Sequence, residues 1–309
     1  MSLKPRQQLK ALGKSNLMVS PIAYGFWRFA GTDVQTAMRK VETAIDAGIN
    51  LMDHADIYGL DGDGQFGDAE ALFGAVLKTQ PSLRGKIVLA SKGGIMPPLP
   101  YDSSPEYLRA ALEASLRRLG VDCIDLYQIH RPDFLTHPAQ VAHALNAFRA
   151  EGKILEAGVS NYTATQVSAL QAHLDFPLVS RQPEFSVLSI DPIRDGTLDQ
   201  CMETHLTPLA WSPMAGGRLG LSSDAAAQLN DGGRTARVLK KLDDIAHAHQ
   251  VTRSSIALAW IMIHPAGIIP ILGTQRCERI TAAAEALTVT LTRTEWNEIL
   301  TASQGFELP

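Results

Sequence analysis

The stretch Leu51–Gly59, LMDHADIYG, ends a short apolar run with two acids, a histidine and a tyrosine in quick succession. Asp53 closes what reads as a buried strand, and Tyr58 stands on the loop behind it, so a carboxylate and a phenol can face one cavity. This arrangement predicts half of an active site. The other half must come from the ends of later strands.

Outward from that stretch the same strand and helix unit recurs. Before it, PIAYGFW (21–27) reads as a strand ending near Gly25, and the apolar spacing of Asp33–Ala47 predicts a helix stopped by Gly48 ahead of strand Ile49–Asp53. After it come helix Asp68–Lys78, strand Lys86–Lys92, helix Ser104–Leu119 with Pro105 in its first turn, and strand Cys123–His130. Helix Pro138–Ala150, strand Ile154–Val159, helix Ala164–His173, strand Val179–Gln182, helix Arg194–Thr204 and strand Thr207–Trp211 follow. A loop carrying Gly216, Gly217, Gly232 and Gly233 leads to helices Thr235–His249 and Arg253–His264, strand Ile268–Leu272, helix Arg276–Leu287 and a closing helix near Arg293–Ala302. Ahead of the repeat, Gln8–Leu12 and Leu17–Ser20 around the turn GKSN (13–16) predict a hairpin.

Strict alternation implies parallel strands joined by helical crossovers, and no low-complexity linker divides them. Eight such strands in 309 residues fit a closed α/β barrel better than an open sheet. The expected fold is a (β/α)8 TIM barrel with an N-terminal β-hairpin and additional helices, one domain over residues 1–309. In such a barrel the C-terminal strand ends share one mouth. Those ends are Gly25 and Trp27, Asp53, Lys92, His130, Ser160 and Asn161, Gln182, Trp211 and Ser212, and Gly273 and Thr274.

The formal net charge of -4 gives no basic field toward nucleic acid or anionic lipid. No apolar run approaches the roughly 20 residues of a membrane span, and the N-terminus lacks the apolar core of a signal peptide. Cys123, Cys201 and Cys277 are an odd count without a CxxC pair, which argues against a disulfide framework and a cysteine-rich zinc site. A cytoplasmic protein is expected, without nucleic-acid or membrane partners.

A phenol is a poor proton donor or base at neutral pH, but a nearby ammonium lowers its pKa. Lys92 is the natural perturber, Asp53 can keep that ammonium charged and fixed, and His130 can hydrogen-bond a substrate oxygen. Together they form a proton-transfer device aimed at a carbonyl or alcohol oxygen. With neither a paired nucleophile nor a metal cage, the device needs an external hydride source.

These residues resemble the aldo-keto reductase family across nearly the whole chain, a bacterial oxidoreductase branch in particular. MDHADIYG, ASKGG, LYQIHRPD, GVSN and AWSPMAGGRL carry the resemblance, in order, at the expected strand ends. It implies that Tyr58 is the general acid in carbonyl reduction, that Asp53 and Lys92 tune it, and that His130 orients the carbonyl. Gly25, Phe26, Trp27 and Asp53 would border the cofactor; Ser160, Asn161 and Gln182 would hold the nicotinamide carboxamide, with Trp211 stacked on the ring. Ser212, Pro213, Met214, Gly217, Arg218 and Leu219 would line the pyrophosphate path, and Gly273, Thr274, Gln275, Arg276 and Arg279 would meet the adenosine end.

Arg276 and Arg279 near a helix start favour an anion there, hence NADP(H) over NAD(H). The family often has a Glu-Asn pair shortly afterwards; Ala282 and Ala283 stand here, so adenine contacts are not carried over. Trp27, Met96, Tyr101 and Phe134, with Tyr58 and His130, are the expected substrate walls. The expected partner is a small carbonyl or alcohol substrate, and the expected state a monomer or weak homo-oligomer.

Other signals are weaker. GDGQFG (62–67) matches GxGxxG but does not start at a strand end, and Asp61 and Asp63 would repel a pyrophosphate, so it reads as a loop and helix entry. His54 and Asp56 with His130 imitate a metal-hydrolase barrel, the competing enzyme reading, although the ligand set is incomplete. A non-catalytic subunit that senses nicotinamide is the third reading.

Overall fold

The computed structural model describes residues 2–60 and 64–307. In chain order it contains β1 (Ser2–Leu3), β2 (Lys10–Ala11), β3 (Met18–Val19), β4 (Ala23–Gly25), α1 (Val34–Asp46), β5 (Leu51–Asp53), α2 (Asp68–Thr79), β6 (Val88–Gly93) and α3 (Pro105–Leu119). Next come β7 (Ile124–Ile129), α4 (Pro138–Ala150), β8 (Ile154–Ser160), α5 (Ala164–Gln171), β9 (Ser180–Gln182), α6 (Thr197–Thr204) and β10 (Thr207–Ala210). The chain finishes with α7 (Ser223–Ala227), α8 (Arg234–His249), α9 (Arg253–Ile263), β11 (Ile269–Leu272), α10 (Cys277–Ala282), β12 (Leu291–Thr292) and α11 (Arg293–Gln304). Strands β4 to β11 are parallel neighbours in sequence order, and β11 returns to β4 through Ile271 opposite Ala23, so the expected barrel is closed.

Period-two alternation sorts each strand into two faces. Leu51, Val88, Ala90, Leu126, Leu209 and Ile269 pack together as the barrel's own core. Their neighbours Met52, Leu89 and Tyr127 instead pack with helix residues Val41, Phe73, Leu112 and Leu145. The hairpin adds Leu12 and Val19 to the barrel core and so plugs its N-terminal end. Gly13 makes that plug possible: its φ is +58°, and a Cβ there would come within 2.5 Å of the Val179 carbonyl oxygen.

Helix boundaries follow local chemistry. Ser104 caps α3 by accepting from the Tyr107 N–H, Pro105 fills its first turn, and Gly120 in the left-handed region ends it. Helix α6 begins three residues later than expected because Pro192 sits in a separate 3-10 turn, Asp191–Ile193. The segment Arg276–Leu287 divides into α10 and a 3-10 turn, Ala283–Leu287. The antiparallel pairing of β1 with β12 and the short helix α7 were not expected.

Within GDGQFG, residues 62 and 63 lie outside the described residues, as does Asp61; Gly67 is the N-cap of α2, a helix entry as read. Among the described residues no helix is long and apolar enough to cross a membrane. All three cysteines are free thiols.

Candidate active site

Along the inward face of three adjacent strands, apolar residues give way to polar ones toward the C-terminal end: Leu51 to Asp53, Ala90 to Lys92, and Leu126 to Gln128 and His130. The two charges therefore enter the barrel together, side by side on β5 and β6. Lys92 Nζ donates to Asp53 Oδ2 at 2.7 Å, to the His54 carbonyl oxygen at 2.7 Å and to Tyr58 Oη at 3.1 Å, which occupies all three ammonium donors. Asp53 Oδ1 accepts from Gln182 Nε2 at 3.0 Å and Gln128 Nε2 at 3.3 Å. A buried ion pair with both carboxylate oxygens satisfied is held in one geometry.

The loop after β5 sets Tyr58 beside that ammonium. Asp56 N–H donates to the Lys92 carbonyl oxygen at 2.9 Å, Tyr58 N–H to the Ala55 oxygen at 3.1 Å, and Ala69 N–H of α2 to the Tyr58 oxygen at 3.1 Å. Gly59, with φ of +110°, lets the chain turn there; a Cβ would meet the Asp68 Cβ at 2.7 Å. Tyr58 and His130 meet edge to face, with ring centroids 5.8 Å apart.

Electrostatics departs from the expectation for Tyr58. Burial is the largest influence and pushes the phenol above its ordinary pKa, while Lys92 pulls it down without cancelling that rise. The phenol therefore keeps its proton at neutral pH. Burial opposes the charge on Lys92, yet Asp53 and Tyr58 together hold its pKa above the ordinary lysine value. Burial, then Lys92 and Arg131, push His130 well below the usual imidazole value, so its ring is neutral.

On the β8 and β10 side the chain builds a polar wall and a tight turn. Asn161, with φ of 62°, donates from Nδ2 to the His130 carbonyl oxygen at 3.2 Å and to Ser160 Oγ at 2.8 Å. Its Oδ1 accepts from Trp211 Nε1 at 3.0 Å, which fixes the indole. Beyond Trp211, Ser212 and Ala215 take positive φ values of 54° and 51°, followed by Gly216 and Gly217 in the same region. The turn closes on itself: the Ala215, Gly216 and Gly217 N–H groups donate to the Ser212 carbonyl oxygen at 2.8 Å, to Ser212 Oγ at 2.8 Å and to the Met214 carbonyl oxygen at 3.0 Å.

The family model described as "Aldo/keto reductase family" matches residues 21–303. The chain belongs to the aldo/keto reductase family. This aldo/keto reductase is 50% identical over 302 residues to a 6-dehydroglucose reductase of Novosphingobium aromaticivorans, covering 97% of both chains. It is 38% identical to a 6-dehydroglucose reductase of Agrobacterium fabrum, covering 94% of this chain and 97% of that protein. A crystal structure of a thermostable aldo-keto reductase in complex with the inhibitor epalrestat matches with a TM-score of 0.79 at 25% identity, over 95% of this chain and 99% of the other.

The structure brings the reductase's four expected catalytic residues, Asp53, Tyr58, Lys92 and His130, to one end of the barrel. Three expected cofactor contacts have side chains engaged within the chain itself. Phe26 is fully buried, its ring stacked 3.7 Å from that of His54. Gln275 Oε1 accepts from Tyr24 Oη at 3.0 Å, which ties this side chain to β4. Arg276 and Arg279 are both exposed, and Arg276 Nε donates to Glu278 Oε1 at 2.5 Å.

Gly25 and Gly273 stand at the ends of β4 and β11, and Pro213, Met214, Gly217, Arg218, Leu219 and Thr274 lie on the loops after β10 and β11. Of the expected substrate walls, Trp27 and Phe134 are exposed, and Met96 and Tyr101 half-buried, all on loops behind β4, β6 and β7.

The metal-hydrolase reading fails on geometry. His54 is buried among Phe26 and Phe73, and among the described residues no three His, Cys, Asp or Glu side chains are grouped as metal ligands. Sequence reasoning missed Gln128, which joins Asp53 to Ser180 through a 3.3 Å hydrogen bond. Its signal was present, since it lies two residues before His130 on the same strand face. The pair of Glu70 on α2 with Arg118 on α3 was also missed; Arg118 Nη2 lies 2.7 Å from Glu70 Oε2, and Ser91, next to Lys92, donates to Glu70 Oε1.

Proposed function

We propose that this aldo/keto reductase moves a hydride between NADP(H) and the carbonyl carbon of a small aldehyde or ketone, with Tyr58 as the general acid in reduction and the base in oxidation. The observation that carries the reading is the single buried network in which Lys92 bridges Asp53 and Tyr58. The exposed Arg279 behind β11 suits a phosphorylated dinucleotide. When bound, the reduced nicotinamide supplies the hydride to the carbonyl carbon. Tyr58 gives its proton to the carbonyl oxygen, neutral His130 orients that oxygen, and Lys92 stabilises the phenolate that remains.

The names of the two reductase relatives favour a sugar aldehyde, 6-dehydroglucose or a close congener, as the carbonyl substrate. Reduction would leave a primary alcohol. Loss of nicotinamide absorbance with a panel of aldehydes that includes 6-dehydroglucose tests the reading. Tyr58→Phe should abolish turnover with cofactor affinity nearly intact; weakened cofactor binding with preserved turnover would overturn the assignment.

A further inference from the structure

Arg131 directly follows His130 and is half-buried at the barrel mouth. Its Cζ lies 5.7 Å from the centroid of the Trp211 ring. Trp211 is fixed by Asn161, and Asn161 in turn donates to the His130 carbonyl oxygen, so these four residues form one connected wall across β7, β8 and β10. Some of the half-buried arginines have acidic partners, Arg84 with Asp125, Arg118 with Glu70 and Arg253 with Asp243. Arg131 has no ion-pair partner among the described residues.

A half-buried guanidinium presents five N–H donors in a fixed fork that suits two adjacent oxygen atoms. An alkyl aldehyde seated against it would displace water from those donors and return no hydrogen bond, which is costly. A chain of hydroxyl-bearing carbons returns those bonds. The mouth holds a second pairing of this kind, Arg28 over the exposed Trp27 at 5.0 Å.

We propose that Arg131, held over Trp211, reads hydroxyl groups on the carbons next to the reacting carbonyl, and that the enzyme thereby selects polyhydroxylated aldehydes over alkyl aldehydes. The inference rests on the carbonyl-reductase reading for its catalytic consequence. Its binding consequence stands apart from turnover.

The test compares wild type, Arg131→Leu and Arg131→Lys on glyceraldehyde, propanal and glyoxylate with saturating NADPH, beside calorimetric titration of D-glucose into the NADP-loaded protein. The ratio of kcat/KM for glyceraldehyde to that for propanal should fall about tenfold or more in Arg131→Leu, one unmade charged hydrogen bond being worth about 1.5–3 kcal/mol. The fall should lie in KM, Arg131→Lys should recover part of it, and glucose binding should be lost in Arg131→Leu. An unchanged ratio, or a larger loss for glyoxylate than for glyceraldehyde, overturns the proposal, the latter in favour of a carboxylate substrate. Failure of every aldehyde to turn over would instead defeat the reductase reading, and equal glucose affinity in wild type and Arg131→Leu would then still decide against Arg131.

Discussion

Lys92 donates to the Tyr58 phenol oxygen across 3.1 Å. Burial and Asp53 both raise that phenol's pKa, and Lys92 is the strongest influence pulling it down. Lys92→Met should therefore lower kcat for reduction by about 10²–10⁴-fold, the usual range for a disabled proton-transfer group. It should also move the rise of alcohol oxidation with pH to higher pH, because phenolate forms less readily. Steady-state rates across a pH series check both, and a kcat within about threefold of wild type would remove Lys92 from the proton-transfer step.

The two buried imidazoles predict an acid-side loss of stability. His54 is pushed well below the ordinary value by burial and then Lys92, and His130 by burial and then Lys92 and Arg131. Unfolded, each ring binds a proton below about pH 6.5 that the folded ring refuses. Their contribution is complete above about pH 6.5 and is lost as pH falls, by about 1.4 kcal/mol per ring per pH unit. Asp56, raised by burial and then Glu70, works in the opposite sense and offsets part of the slope. His54→Phe should flatten the dependence by about one proton in urea titrations between about pH 5 and pH 7, and an unaltered slope would mean that His54 already accepts a proton when folded.

The same two imidazoles mark where the sequence was legible. His130 ends an apolar strand at the expected place, and its partners Asp53 and Lys92 do likewise, because a barrel converts strand ends into one site whatever the loops do. His54 looks as reactive in sequence as His130, but it is one residue out of phase with Asp53, and period-two alternation turns it into the helix layer against Phe26. Side-chain pairings across long separations carried no such periodic signal. Gln275 with Tyr24, Arg118 with Glu70, and the two-residue pairing of β1 with β12 depend on which helix or terminus folds back where.

Cofactor choice should respond to Glu278. Its carboxylate sits on Arg276, both side chains being about two-thirds exposed at 63% and 64%, so the pair is weak and screened. A 2′-phosphate must compete with it for the guanidinium. Glu278→Gln should raise the preference for NADPH over NADH severalfold, most at low ionic strength, and Arg276→Ala should weaken NADPH more than NADH. Fluorescence titrations with both cofactors check this; equal effects on the two would place the adenosine phosphate elsewhere.

The pair of Glu70 with Arg118 predicts an asymmetry between single and double substitution. Glu70 is fully buried and its carboxylate has two partners, Arg118 and Ser91, while Asp56 nearby has both carboxyl oxygens buried without a hydrogen-bond partner. Arg118→Met would leave two buried carboxyl groups facing each other without a cation, a loss of about 3–5 kcal/mol. The double variant Glu70→Leu with Arg118→Met removes the unpaired charge and fills the space, so it should regain most of that loss. Because Ser91 is bonded to Glu70 and precedes Lys92, the single variant should also lower kcat more than it weakens cofactor binding. Chemical denaturation and steady-state rates measured together decide the matter: equal instability of the single and double variants would show that Arg118 acts through its packed alkyl chain against Gly67 rather than through its charge.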